Sequence, residues 1–417
     1  MADIKPFKAY RPAKEKVSKI ASLPYDVYNR KEAREVVSKN PDSFLAIDRP
    51  ETQFDEDHDM YAQEVYEKAA SMLKERMSNG DFIQDEENCY YIYEQEMNGR
   101  VQTGLVACAS IDDYLNNVIK KHENTRADKE EDRIKHVYTC DAQTGPIFLC
   151  YKKNRIISEI IEKVKETDEP LYDFTSHDGI KNRIWILSDE EENNMICRIF
   201  TGINEIYIAD GHHRCASAVK VGLRKREEAA QKNIRGKLEA DYFLSVLFAD
   251  EDLMIMDYNR VVKDLNGHSA SEFLEFLKKK FDVVKEDSQV KPSKKGEFGL
   301  FLEENWYRLT AHDDIKTNDP VEGLDVSLLQ REVLSEFLGI GDPRTDKRID
   351  FVGGIRGLSE LEKRCHEDMK LAFSMYPTSI NELFEVADAG KLMPPKSTWF
   401  EPKLLSGLFI HSICGTI

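Results

Sequence analysis

One run of eighteen residues constrains the fold more than any other part of the chain. Glu205-Ile-Tyr-Ile-Ala209 has the length and apolar character of a buried strand. Asp210-Gly-His-His-Arg214 follows, and then Cys215 to Val221, small and apolar at helical spacing, with Gly222 expected to stop the helix. Strand, sharp loop and helix in that order require a sheet with helices packed on it. The expected class is therefore α+β (mixed α/β), with a mixed sheet.

The rest of the chain supplies matching parts. Tyr61, Val65, Ala69 and Leu73 recur at helical spacing, and Asn79-Gly80 ends that helix. Strands are expected at 90–95 and 101–109, joined at Asn98-Gly99, a hairpin signal. Helices are expected at 129–139 and 156–164, and strands at 146–151, 171–174, 183–187 and 242–248. A charged, loop-like stretch at 285–297 precedes strands at 299–303 and 306–310, and helices at 326–338 and 380–389. Asp257-Tyr-Asn-Arg260 reads as the opening of a helix, with Arg260 in a structural ion pair. These signals suggest a first domain over 1–254 and a C-terminal α/β domain over 255–417, whose tail can pack back on the first.

Composition excludes several classes. Lys+Arg is 59 and Asp+Glu is 77, so the formal net charge is 59 − 77 = −18, which argues against a nucleic-acid partner. No apolar run approaches the ~18 residues of a membrane span, and Met1 to Val17 lacks the apolar core of a secretory signal. The eight cysteines are scattered without a C-x-x-C pair, as in a reduced, cytoplasmic protein. Oligomeric state is not legible.

The loop at 210–214 carries the clearest chemistry. A helix N-terminus aims backbone N–H groups and partial positive charge at one spot, which suits a phosphate. Asp210 is expected to cap the helix. Gly211 permits a sharp turn or close approach of a ligand. His212 and His213 can donate to phosphate oxygens or exchange protons near neutral pH. Arg214 offers a planar fork. Other readings of the same residues are a plain capped helix with surface histidines, and a metal site. Neighbouring helical residues point about 100° apart, so His212 and His213 do not form a metal pair. No metal is expected from the protein alone, although magnesium held jointly with phosphates is compatible.

Tyr207-Ile-Ala-Asp-Gly-His-His-Arg-Cys-Ala-Ser-Ala218 resembles the phosphate-binding box of the ParB/sulfiredoxin superfamily, most closely the version in free-serine kinases. Over the whole chain, Leu23-Pro-Tyr-Asp-Val27, Lys121-His-Glu-Asn-Thr125 with Asp132-Arg133, the 210–214 loop, and Met393-Pro-Pro-Lys-Ser-Thr398 with Pro402-Lys403 recur in order. On these the chain is identified as a member of the uncharacterised bacterial and archaeal family numbered 1015 among domains of unknown function. The resemblance implies a ParB/sulfiredoxin-like nucleotide-binding core, ATP or ADP with Mg2+ as cofactor, and a small anionic substrate.

The remaining motifs bear on the reaction. Thr125 with Asp128 approximates a capping box, which leaves His122 and Glu123 on a loop outside the helix. Glu123 can serve as a general base, and Asp26, after Pro24 in an extended segment, is its rival. His213 can assist as a proton carrier. His122, Thr125, Lys396, Ser397 and Lys403 are candidates for holding the substrate, the two prolines stiffening the 393–398 loop. The expected activity is a nucleotide-dependent phosphotransferase acting on a small hydroxyl metabolite, serine being the best guess. The alternatives are a phosphoserine-type phosphatase and a nucleotide-switched ParB-like binding protein without catalysis. Against the last, no recognition helix is legible after the nucleotide box, where the strand at 242–248 soon follows Arg224–Lys237.

Overall fold

Nine strands define the principal sheet of the computed structural model, which describes all 417 residues. They are β1 Ile4–Lys5, β2 Tyr90–Met97, β3 Arg100–Ser110, β4 Ile119–Lys120, β5 Ile147–Tyr151, β6 Tyr172–Thr175, β7 Lys181–Leu187, β8 Ile206–Asp210 and β9 Tyr242–Ala249. Their order is β4-β8-β5-β9-β3-β2-β7-β6, with β1 added on β3. Pairs β4·β8 and β5·β9 are parallel, and the other pairs in this order are antiparallel. The mixed α+β class expected from the sequence is thus the class observed. β5 and β9 are buried at every residue, which explains their near-continuous apolar sequence, interrupted only by Ser245.

The chain divides into two compact units, Met1–Leu253 with Pro402–Ile417, and Met254–Glu401. In the first, one core cluster joins the sheet residues Leu105, Leu149, Ile208 and Leu247 to Ile157 and Ile161 of helix Arg155–Thr167 and to Cys215 and Val219. The C-terminal segment is stitched into this unit by backbone bonds, Tyr10 N–H to Ile410 O at 3.0 Å and Ile410 N–H to Tyr10 O at 2.8 Å. The second unit has its own six-stranded sheet: β10 Tyr258–Val262, β11 Phe281–Glu286, β12 Glu297–Leu302, β13 Asn305–Ala311, β14 Ile349–Gly353 and β15 Leu371–Met375. Its order is β11-β13-β12-β15-β10-β14. No helix of either unit is long and apolar enough to cross a membrane.

Several local expectations are corrected. Asp257–Arg260 opens strand β10, not a helix, because β10 is inserted between β15 and β14 and is buried at all five residues. Arg260 forms no ion pair. Its guanidinium donates to the Tyr258 and Lys396 carbonyls, the latter at 3.0 Å. Helix α1, Ala127–Cys140, begins after Thr125, so no capping box forms there. The Thr125 hydroxyl donates instead to Glu130 Oε2 at 2.7 Å, and Asp128 pairs with Arg126 at 2.9 Å.

Gly222 does not end its helix. Helix α2 runs His212–Gln231 through it. A Cβ at residue 222 would lie 2.4 Å from the Ala240 carbonyl oxygen and 2.7 Å from Ile111 Cδ1. The glycine serves close packing, a tertiary demand that mimics a stop signal in sequence. Gly→Ala inside a helix normally gains about 1 kcal/mol. Gly222→Ala is expected to lose about 1–3 kcal/mol by overpacking, read as a lower urea midpoint.

Candidate anion and active site

The turn between β8 and α2 is built by two local irregularities. The pairing of β8 with β5 shifts register between Ile208 and Asp210, a bulge that re-aims the strand end. Gly211 then adopts φ 91° and ψ 32° as the N-cap of α2, a left-handed conformation costly to any L side chain. Gly211→Ala is accordingly expected to lower unfolding free energy by about 1–2 kcal/mol, again measurable by urea titration. The expected Asp210 cap is not formed, because Gly211 occupies the cap position and no side chain caps α2. The N-terminal N–H groups of α2 therefore lack a side-chain acceptor, the arrangement that receives an anion.

Arg214 lies at the third residue of α2. Its Nη1 donates to the Pro146 carbonyl at 2.6 Å and its Nη2 to Asp210 Oδ2 at 3.1 Å. Its Nε is buried without a partner. Lys403, from the C-terminal segment, has a side chain only 14% exposed, with Nζ 3.7 Å from Asp210 Oδ1. Burial opposes the Asp210 charge, but Lys403 and Arg214 outweigh it and hold the carboxyl below its usual range. Asp210 thus orients two cations behind the loop rather than capping the helix.

The histidines differ from expectation. Burial, reinforced by the neighbouring His122, pushes His212 well below the usual histidine range. Burial lowers His213 as well and brings His122 to about 4. Burial thus favours the neutral ring in all three. His212 Nε2 lies 3.5 Å from the His122 backbone N–H, the two rings meeting edge to face at 4.5 Å. Accepting there leaves the proton on Nδ1, which faces Glu123 Oε2 at 3.9 Å. His213 lies in the field of Asp26, Glu130, Arg126 and Asp128, and its Nδ1 is buried without a partner.

Asp26 is the middle residue of a one-turn 3-10 helix, Tyr25–Val27, and is exposed. It makes no hydrogen bond or ion pair, yet its charge acts on His213 and Arg214. The first unit thus gathers Asp26, His122, Glu123, Lys403 and residues 210–214 around one loop. Thr125 reaches the same surroundings through Glu130. Lys396 and Ser397 belong to the second unit. There the Lys396 carbonyl accepts from Arg260, Lys396 Nζ lies 5.6 Å from the Tyr258 ring centroid, and the Ser397 hydroxyl donates to the Pro394 carbonyl at 2.7 Å.

Sequence reasoning missed a small buried cavity beside Arg214. A cavity of about 30 Å³ is lined there by Tyr25, Asp48, Arg133, Thr144, Arg214 and Ser406, among others. That is room for one or two waters and too small for any larger ligand. The available signal was Asp48-Arg49 directly after the buried run Phe44–Ile47. No three His, Cys, Asp or Glu side chains converge closely enough to hold a metal. The protein's donors do not fit a self-sufficient metal site.

The solved structures that this chain matches are distant from it. A free serine kinase in complex with AMP is 15% identical over 71% of this chain and 86% of its own, with a TM-score of 0.35. SbnI with C-terminal truncation, from Staphylococcus aureus, is 10% identical over 72% and 85%, with a TM-score of 0.38. A conserved hypothetical protein from Pyrococcus furiosus is 17% identical over 74% and 95%, with a TM-score of 0.33. No curated protein matches the sequence significantly. A family model covers residues 4–327, more than half of the chain, and with it the loop, its carboxylates and the helix behind them: the chain belongs to the family described as "Protein of unknown function (DUF1015)".

Proposed function

We propose that residues 211–214 bind the phosphates of ATP or ADP and that the protein transfers a phosphoryl group to the hydroxyl of a small metabolite, serine being the best candidate. The observation that carries this reading is an uncapped helix N-terminus with the unpartnered Arg214 Nε behind it and an unpaired carboxylate, Asp26, beside it. The acceptor oxygen attacks the terminal phosphorus, the bond to the leaving phosphate oxygen breaks, and the hydroxyl proton passes to Asp26. Helix N–H groups, Arg214 and Lys403 offset the charge on the leaving phosphate. Magnesium has no protein-only site here, and no step depends on it.

Asp26 is a better base than Glu123, the first choice by motif. Its carboxylate is exposed and uncommitted, whereas Glu123 faces the His212 ring. The test is calorimetric titration of the full chain with ADP, ATP and CTP, followed by assay for phosphoserine formation. A ligand at about 100 times its Kd also stabilises the fold by ~2.7 kcal/mol. Binding without turnover on serine or other hydroxyl acceptors favours the nucleotide-switched reading. Release of phosphate from phosphoserine favours the phosphatase, and no binding of nucleotide or phosphate refutes the site.

A further inference from the structure

Two of the sequence motifs distant from each other, Leu23–Val27 and Asp132-Arg133, meet in the first unit. The Arg133 guanidinium lies over the Tyr25 ring, 4.0 Å from its centroid. Arg133 is itself fixed by Asp132 Oδ2, at 3.0 Å from Nε and 2.8 Å from Nη2, and by the Asp48 carbonyl at 3.3 Å. The Tyr66 hydroxyl donates to the other Asp132 oxygen at 2.9 Å. From the other side Arg49 Nη1 donates to the Tyr25 carbonyl at 3.0 Å and the Tyr28 carbonyl at 2.7 Å, while its Nε is held by Glu51 at 2.6 Å. Arg133, Asp132 and Glu51 are 6%, 8% and 3% exposed.

Buried ion pairs of this kind are weak sources of stability, since apolar residues of similar volume often serve as well. What they supply is one fixed conformation. The segment they fix is a single turn, and the residue at its centre, Asp26, is exposed and touches none of them. We infer that Arg49 and Arg133 are positioning residues that clamp the Tyr25–Tyr28 turn and so hold the Asp26 carboxylate in front of His213 and Arg214. The inference rests on the reading of Asp26 as the base. Displacing a reacting group by about 1 Å can cost 10²-fold in rate, which is reason enough for so rigid a mount.

The test uses the full chain and the variants Arg133→Lys, Arg49→Lys and Asp26→Asn, singly and combined. Lysine keeps the charge but loses the planar stack and the forked donors. Arg133→Lys is expected to lower kcat about tenfold or more with ADP affinity unchanged, and to speed amide exchange at residues 25–28. In the Asp26→Asn background the same change should add nothing further to the loss in kcat. An equal loss in both backgrounds, or unchanged exchange at 25–28 in both lysine variants, overturns the clamp. Absence of turnover in the unmodified chain refutes the catalytic reading instead, and the exchange measurement still decides whether the turn is held.

Discussion

Asp26→Asn is expected to lower turnover by about 10²–10⁴-fold, the usual worth of a general base, while ADP affinity stays within about twofold. The change keeps size and hydrogen-bonding capacity and removes the negative charge together with the ability to take a proton. The Asp26 side chain is exposed and makes no hydrogen bond or ion pair, so stability should change little, by less than about 1 kcal/mol, and a large loss of rate reports chemistry. Glu123→Gln is the control. If Glu123→Gln reproduces the loss and Asp26→Asn does not, the two carboxylates exchange roles. Steady-state kinetics with calorimetric titration of each variant separates these outcomes.

Arg214→Met should have the second large effect, on binding and stability together. Removing the guanidinium deletes the charged group behind the loop and leaves Asp210 with Lys403, 3.7 Å away, as its remaining cation. Truncating one partner of a buried, hydrogen-bonded charge pair costs about 2–5 kcal/mol, so ADP affinity should fall roughly 100-fold or more. The fold should lose about 3 kcal/mol, the low end of a broken buried pair, because Lys403 still offsets Asp210. Full ADP affinity in a folded Arg214→Met protein would move the anion site elsewhere.

Much of this site was legible in residue order. The run from Glu205 to Val221 encodes strand, turn and helix by local signals alone: apolar residues of strand length, a glycine where φ must be positive, and small residues at helical spacing. The expectation that 210–214 receives an anion follows from those signals because a helix N-terminus has the same chemistry wherever it is placed. Strands β5, β8 and β9 were likewise readable as largely apolar runs of strand length, and β2 and β3 from the Asn98-Gly99 turn that joins them.

What the tertiary structure decided is every property that depends on a neighbour distant in sequence. Gly222 looks like a helix stop until the Ala240 carbonyl and Ile111 are seen to leave no space for a side chain. Asp257–Arg260 carries no local signal that excludes a helix, and its insertion between two strands makes it β10. His212 and His213 look like groups that titrate near neutrality, but desolvation by the surrounding fold takes them below it. Asp210 has the position of a cap and the partners of a charge clamp. On sequence Glu123, beside His122, ranks ahead of Asp26 as the base. The structure distinguishes them by surroundings, Asp26 exposed on its turn and Glu123 facing the His212 ring, because side-chain commitment arises from contacts that sequence spacing does not encode.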